Sequence, residues 1–282
     1  MSNDDRRKEL GAFLRKRREQ LVRADYDLPP IGRNRVSGLR REEVAYLAGV
    51  SVTWYTWLEQ GRDINPSSQV LDAIALTLRL SSAQHDYVRG LVGLAALSPG
   101  PRQKPAEIPG HLQRLLDAQL PAPAFAVLSD WTIAAWNPAY AVLYPNVARV
   151  EPGERNLLGF VFTDPLVREM LPDWETTSRH FLAEYRAEVG PLLGAPEHVA
   201  LIGRLRRESA EFAQAWEQHE VERFASRERR FVHPDAGDLV FEHHRVSPSD
   251  LPELHIVIYL PQPGTDTADR LEALLGRGDR QA

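Results

Sequence analysis

At 282 residues, with 43% hydrophobic and 26% charged positions, the chain is long enough for two domains with real cores and too apolar to be disordered by composition. It has no cysteine, which excludes disulfides, thiolate metal sites and a cysteine nucleophile. The net charge of −5 hides an asymmetry: residues 1–104 carry 17 Lys and Arg against 12 Asp and Glu, and the remainder 17 against 27, the pattern of a basic nucleic-acid reader joined to an acidic regulatory part. The opening Met-Ser-Asn-Asp-Asp-Arg-Arg-Lys lacks the apolar run of a signal peptide. No stretch approaches about 18 uninterrupted apolar residues, so a cytoplasmic protein without membrane contact is expected.

Five helices are expected in residues 1–97. The first carries Leu10, Phe13, Leu14 and Leu21 at helical spacing, with Arg15 to Arg18 largely solvated. Residues 25–38, with Pro29, Pro30, Gly32 and Gly38, read as a loop. A second helix follows, with Val44, Leu47 and Ala48 as its apolar stripe, then Gly49 for a turn at positive φ, then a third helix capped by Ser51 and stopped at Gly61. Asn65 and Pro66 suit the cap and first position of a fourth, lined by Leu71, Ile74, Ala75 and Leu78. Ser81 and Gln84 form a capping-box pair for a fifth, buried through Val88, Leu91 and Leu94.

Short helix, Gly turn and capped second helix are the spacing of a helix-turn-helix, whose second helix lies in the DNA major groove. At about 100° per residue, Val52, Tyr55, Leu58 and Glu59 share the core-facing side, Thr53 and Trp57 point away, and Trp54 and Thr56 sit on the flanks. Thr53, Trp54, Thr56 and Trp57 are therefore the candidate base-contacting residues. Arg33, Arg40, Arg41 and Arg62, with Arg35, bracket that face as candidate phosphate contacts. An ordinary helical hairpin is the competing reading. Affinity in such modules comes from two half-sites about one helical turn apart, so a homodimer on double-stranded DNA is expected.

Residues 98–110, rich in proline and glycine, punctuate the chain as a linker. In residues 111–276, strands lie at both ends with helices between. Phe125 to Leu128 and Trp131 to Trp136 form a hairpin, Pro138 to Leu143 a short helix, and Glu197 to His219 a long helix faced by Val199, Ile202, Leu205, Phe212 and Trp216. Arg229 to His233, Asp238 to Val246 and Leu254 to Leu260 are strands. This is an α+β domain on an antiparallel sheet, with residues 277–282 as a tail.

The chain resembles the MmyB-like bacterial transcription regulators, which join an Xre-type helix-turn-helix to a PAS-like ligand-binding domain. In the first half the resemblance rests on Leu10-Gly11 followed by Arg15, Arg17 and Arg18, on residues 38 to 45, Gly-Leu-Arg-Arg-Glu-Glu-Val-Ala, and on residues 58 to 62, Leu-Glu-Gln-Gly-Arg. In the second it rests on Trp136-Asn137, Arg155-Asn156, Asp173-Trp174-Glu175, Trp216 with His219, and His233-Pro234 before Gly237. The resemblance implies a pocket for a small apolar molecule of fatty-acid type.

The expected pocket lining is Trp136, Phe162, Phe212, Trp216, Phe241 and Tyr259, with Asn137 and Arg155 as candidate polar anchors; helix capping and a surface ion pair compete for those two. His219, His233, His243 and His244 are the nearest approach to a metal cluster, but adjacent His243 and His244 point to opposite faces of a strand, and no metal or cofactor is expected. No nucleophile elbow, phosphate loop or dinucleotide fingerprint occurs, so no catalytic residue is proposed. An enzyme acting on a lipid-like substrate with an autoregulatory DNA-binding module, and a protein-interaction adaptor, remain the alternatives to a ligand-responsive regulator.

Overall fold

The computed structural model describes residues 3–26, 28, 38–94, 108–249, 251 and 254–278. Arg33 and Arg35, most of the linker and residues 279–282 lie outside these. Two compact units emerge, one of Met1–Ser98, Leu182–Gly203 and Ala213–Arg223, the other of Pro99–Phe181, Arg204–Phe212 and Phe224–Ala282. The first unit thus takes in two stretches from beyond the linker.

Its leading part is the expected set of five helices: α1 (Asn3–Gln20), α2 (Arg41–Leu47), α3 (Val52–Glu59), α4 (Ser68–Thr77) and α5 (Ser82–Leu91). Leu10, Phe13 and Leu14 of α1, Val44 and Ala45 of α2, Tyr55 and Leu58 of α3, and Leu71, Ile74 and Ala75 of α4 are buried together with Leu78. Each large apolar side chain contributes about 1.5–3 kcal/mol by leaving water. The Ser81–Gln84 capping box forms, with reciprocal bonds of 3.3 and 3.0 Å. Gly49 sits at φ +68°.

Five local expectations are corrected. Helix α4 starts at Ser68 rather than Pro66, because Pro66 holds Asn65 away from helical backbone and the Ser67 hydroxyl accepts the Val70 N–H at 3.3 Å. Val52, at the first position of α3, is exposed, as are Leu47, at the last of α2, and Leu94, three residues past the end of α5. Arg18 is buried instead of solvated, held by an acid on another helix.

Helices α6 (Gly110–Asp117), α7 (Pro138–Leu143), α8 (Leu157–Thr163), α9 (Pro165–Met170) and α13 (Thr267–Gly278) lie in the second unit with a five-stranded sheet. The strands β1 (Ala124–Leu128), β2 (Ile133–Trp136), β3 (Arg227–His233), β4 (Gly237–Val246) and β5 (Leu254–Pro261) run in the order β2-β1-β5-β4-β3, every neighbouring pair antiparallel. Alternation gives the sheet two characters. Ala124, Ala126 and Leu128 pack with Leu254 and Ile256 beneath Leu112 and Leu116 of α6. The opposite face is aromatic: Phe125 stacks on Tyr140 of α7 at 4.2 Å, and Phe231, Phe241 and Tyr259 meet ring to ring.

Three further helices, α10 (Trp174–Val189), α11 (Pro196–Glu208) and α12 (Ala210–Trp216), connect β2 and α9 to β3. The long helix expected over 197–219 is two, because the Ser209 hydroxyl takes the Phe212 N–H at 3.0 Å and restarts the backbone ladder. Val199 is exposed and Ile202 half-buried, whereas Leu205, Phe212 and Trp216 are buried. Helix α13 was not anticipated; it buries Leu271 and Leu274, and its Thr267 hydroxyl accepts the Val240 N–H at 2.9 Å.

Candidate functional site

Helix α3 presents the face that its periodicity predicts. Ser51 caps it, its hydroxyl accepting the Trp54 N–H at 3.1 Å. Tyr55, Leu58 and Glu59 turn inward, Trp54 and Thr56 are half-buried, and Thr53 and Trp57 face solvent, Trp57 at 39% exposure. A large ring so exposed on a short helix is not there for the core. The Arg62 guanidinium lies 5.8 Å from the Trp57 ring centre and donates to Gln60 at 3.1 Å, so a cation and an aromatic plane stand side by side at the end of this face.

What fixes α3 is a buried ion cluster. The Glu59 side chain has no exposure and accepts from Arg18 at 2.6 and 3.1 Å and from Arg41 at 2.7 Å; Arg18 also donates to the Leu39 carbonyl at 2.8 Å. Arg41, expected on phosphate, therefore spends one donor on Glu59 and keeps a 37% exposed side chain. Arg40 is half-buried at the start of α2, its N–H given to the Glu43 carboxylate at 2.8 Å. Gly11 lets α1 meet α3 backbone to backbone: a Cβ there would stand 2.4 Å from the Glu59 carbonyl oxygen.

A second cluster in the same unit joins α1, α5, α10 and the end of α12. Glu9 receives Tyr87 at 2.7 Å and Arg186 at 2.6 Å, and His219 Nδ1 stands 3.0 Å away. Arg186 is fully buried, caps the Trp216 carbonyl at 2.5 Å and lies 3.9 Å over the Trp216 ring. Burial opposes ionisation of Glu9, but the His219 hydrogen bond, the Arg186 charge and Tyr87 outweigh it and hold the carboxyl at about 2. Trp216, expected to line a pocket, is a stacking platform for Arg186.

The remaining expected pocket residues are dispersed. Phe162 meets Phe212 edge-on at 5.1 Å and Trp174 at 5.9 Å. Phe241 and Tyr259 belong to the aromatic sheet face. Trp136 is half-buried under the Arg155 guanidinium at 5.1 Å, while Arg155 donates to the Val150 carbonyl at 2.8 Å. Asn137 is completely buried and saturated: its oxygen accepts from Ala124 and Tyr140, both at 3.0 Å, and its amide donates to Leu116 and Ala122 at 3.0 and 2.9 Å. It has no capacity left for a ligand, so its role is to cap α7 and tie that helix to β1. A separate cleft of about 300 Å³ lies along α8, lined by Asn146, Gly159, Thr163, Asp164 and Arg204 among others.

Residues 9–88 match a helix-turn-helix domain family, and residues 108–275, more than half of the chain, match the MmyB-like transcription regulator ligand binding domain. The chain belongs to the MmyB-like transcription regulators. No curated protein matches it. This MmyB-like regulator is thus a DNA-binding transcription regulator with a small-molecule domain, and both matched families are regulatory rather than enzymatic.

The four histidines do not converge in the regulator. His219 joins Glu9, His233 spans the Val142 carbonyl and the Asp235 N–H, His243 is buried against Tyr259, and His244 is half-exposed beside Glu242. Among the described residues no three His, Cys, Asp or Glu side chains gather as a metal site would need, and no helix is long and apolar enough to cross a membrane. Sequence reasoning missed Glu9 and Arg186. A charged residue at an inward position of an amphipathic helix or strand was the available signal, but each partner lies far away in the chain.

Proposed function

We propose that this regulator reads a specific operator as a homodimer in the cytoplasm, and that an apolar, fatty-acid-like molecule in its PAS-like C-terminal domain alters that reading. Thr53, Trp54, Thr56 and Trp57 contact bases, while Arg40, Arg41 and Arg62 contact phosphates, with Arg33 assigned from sequence alone. The observation that carries the reading is the uncovered Thr53–Trp57 side of a rigidly anchored α3, flanked by Arg62. Phosphate contacts of this number make affinity fall steeply with salt. The antiparallel sheet with an aromatic face supports the PAS-like reading.

Effector control requires a ligand with different affinity for two arrangements of the protein. Helix α10 supplies a covalent route: its residues through Phe181 belong to the effector unit and those from Leu182 onward, with Arg186, to the DNA-binding unit. The test is selection of genomic fragments by the purified full chain, with and without dodecanoate. One enriched palindromic site, weakened or strengthened by dodecanoate, is expected. No enrichment refutes the DNA reading; enrichment indifferent to dodecanoate refutes the proposed effector class.

A further inference from the structure

The cleft along α8 lies within the second unit, and Arg204 of α11 is half-buried on its wall. A Cβ on Gly159 of α8, which also lines the cleft, would stand 3.5 Å from Arg204 Nη2, so the guanidinium rests directly against the α8 backbone. Among the described residues Arg204 has no hydrogen bond and no ion pair, although Glu154 and Asp164 border the same cleft. A guanidinium half withdrawn from water is normally given an anion.

The two acids do not supply it. Asp164 is half-buried with both oxygens in use, one accepting the Leu166 N–H at 2.9 Å and the other the Asn146 amide at 2.9 Å. Glu154 is exposed and, like Arg204, has no side-chain partner among the described residues. The cleft therefore carries charges of both signs that are not joined to each other. A simple anion would be drawn to Arg204 and repelled by the carboxylates, and a simple cation the reverse. A molecule with both charges satisfies each side. Val150 and Phe160, both half-buried, add an apolar part to the lining, and a volume of about 300 Å³ has room for a molecule the size of a free amino acid.

We infer that this cleft binds a free α-amino acid with an apolar side chain. Arg204 takes the carboxylate through two parallel N–H donors, Asp164 and Glu154 take the ammonium, and Val150 and Phe160 receive the side chain. Asn146 holds the Asp164 carboxylate in place. The site goes beyond the fatty-acid-like effector and depends neither on that reading nor on the DNA reading.

The test is titration calorimetry of the full chain with leucine, with 4-methylpentanoate, which is leucine without its ammonium, and with 3-methylbutylamine, which is leucine without its carboxylate. The wild type is expected to bind leucine about tenfold or more tighter than either analogue, the worth of one charge-assisted hydrogen bond. Arg204→Gln should bring leucine down to the level of 3-methylbutylamine without weakening the amine. Glu154→Gln and Asp164→Asn should weaken leucine without weakening 4-methylpentanoate. Arg204 and Glu154 have no partner to lose, and Asn at 164 keeps the acceptor for the Leu166 N–H, so the three variants should melt with the wild type. No binding of leucine, equal affinity for leucine and either analogue, or an unchanged leucine affinity in Arg204→Gln overturns the site. Should Arg204→Gln fail to fold, Glu154→Gln decides, and an unchanged leucine affinity there overturns it. Dodecanoate affinity is expected to be the same in wild type and Arg204→Gln; loss of dodecanoate together with leucine would make the cleft a fatty-acid site and overturn the amino-acid assignment.

Discussion

Replacing Glu59 with Gln removes the charge on which the DNA-reading helix is mounted, and the structure fixes the size of the effect. Glu59 is fully enclosed and holds Arg18, itself 8% exposed, through two bonds, and Arg41, 37% exposed, through one. Stranding a buried guanidinium costs about 3–5 kcal/mol. The Arg41 bond, partly in water, adds about 0–1 kcal/mol. The expected loss of about 3–5 kcal/mol is a large share of a domain's usual 5–15 kcal/mol. At roughly 4–8 °C per kcal/mol for a domain of about 100 residues, the first transition should fall by more than about 12 °C. Circular dichroism melts of the full chain and of Glu59→Gln read this directly, and an Arg18→Met/Glu59→Leu double variant should recover most of the stability. A Glu59→Gln melt within a degree or two of wild type would refute the claim that this cluster anchors α3.

The Glu9 cluster predicts an acid limb. Its carboxyl is held at about 2, below its ordinary 4.5, so its stabilisation is complete above pH 4.5 and is lost as pH falls from there towards 2. The amount is on the order of 3 kcal/mol; urea melts between pH 7 and 3 should show that slope in the wild type and not in Glu9→Gln, and equal slopes would contradict the assignment. Gly11→Ala places a Cβ 2.4 Å from the Glu59 carbonyl oxygen and 2.9 Å from that of Leu58, so α1 and α3 must separate. A loss of about 1–3 kcal/mol is expected, together with weaker DNA binding; unchanged stability would mean that the close approach is not rigid.

The helix-turn-helix was legible because its information is local: Gly49 needs a positive φ, Ser51 a free first turn, and the core-facing residues a 3.6-residue period. The strands were equally readable from alternation and from the Gly237 turn. Charge was not. Arg18 is expected in water from its own segment, and nothing there shows that Glu59, 41 positions away, meets it inside. Arg186 and Glu9 are 177 positions apart, and nothing in either segment announces the other. Asn137 looked like a ligand anchor because a buried amide can serve either a ligand or the backbone, and only the four closed hydrogen bonds decide. The break at Ser209 and the terminal α13 had signals in the sequence, a mid-helix serine and the Leu271–Leu274 spacing, which weaker periodicity in the surrounding residues obscured.

The account stands on α3 presenting its Thr53–Trp57 side to DNA bases. Fluorescence anisotropy of wild type and Trp57→Ala, on the selected operator and on a scrambled duplex, measures this most directly. The expected result is a loss of roughly 1–3 kcal/mol on the operator, with scrambled binding and the melting curve unchanged. Operator affinity equal to wild type in a folded Trp57→Ala protein would contradict it.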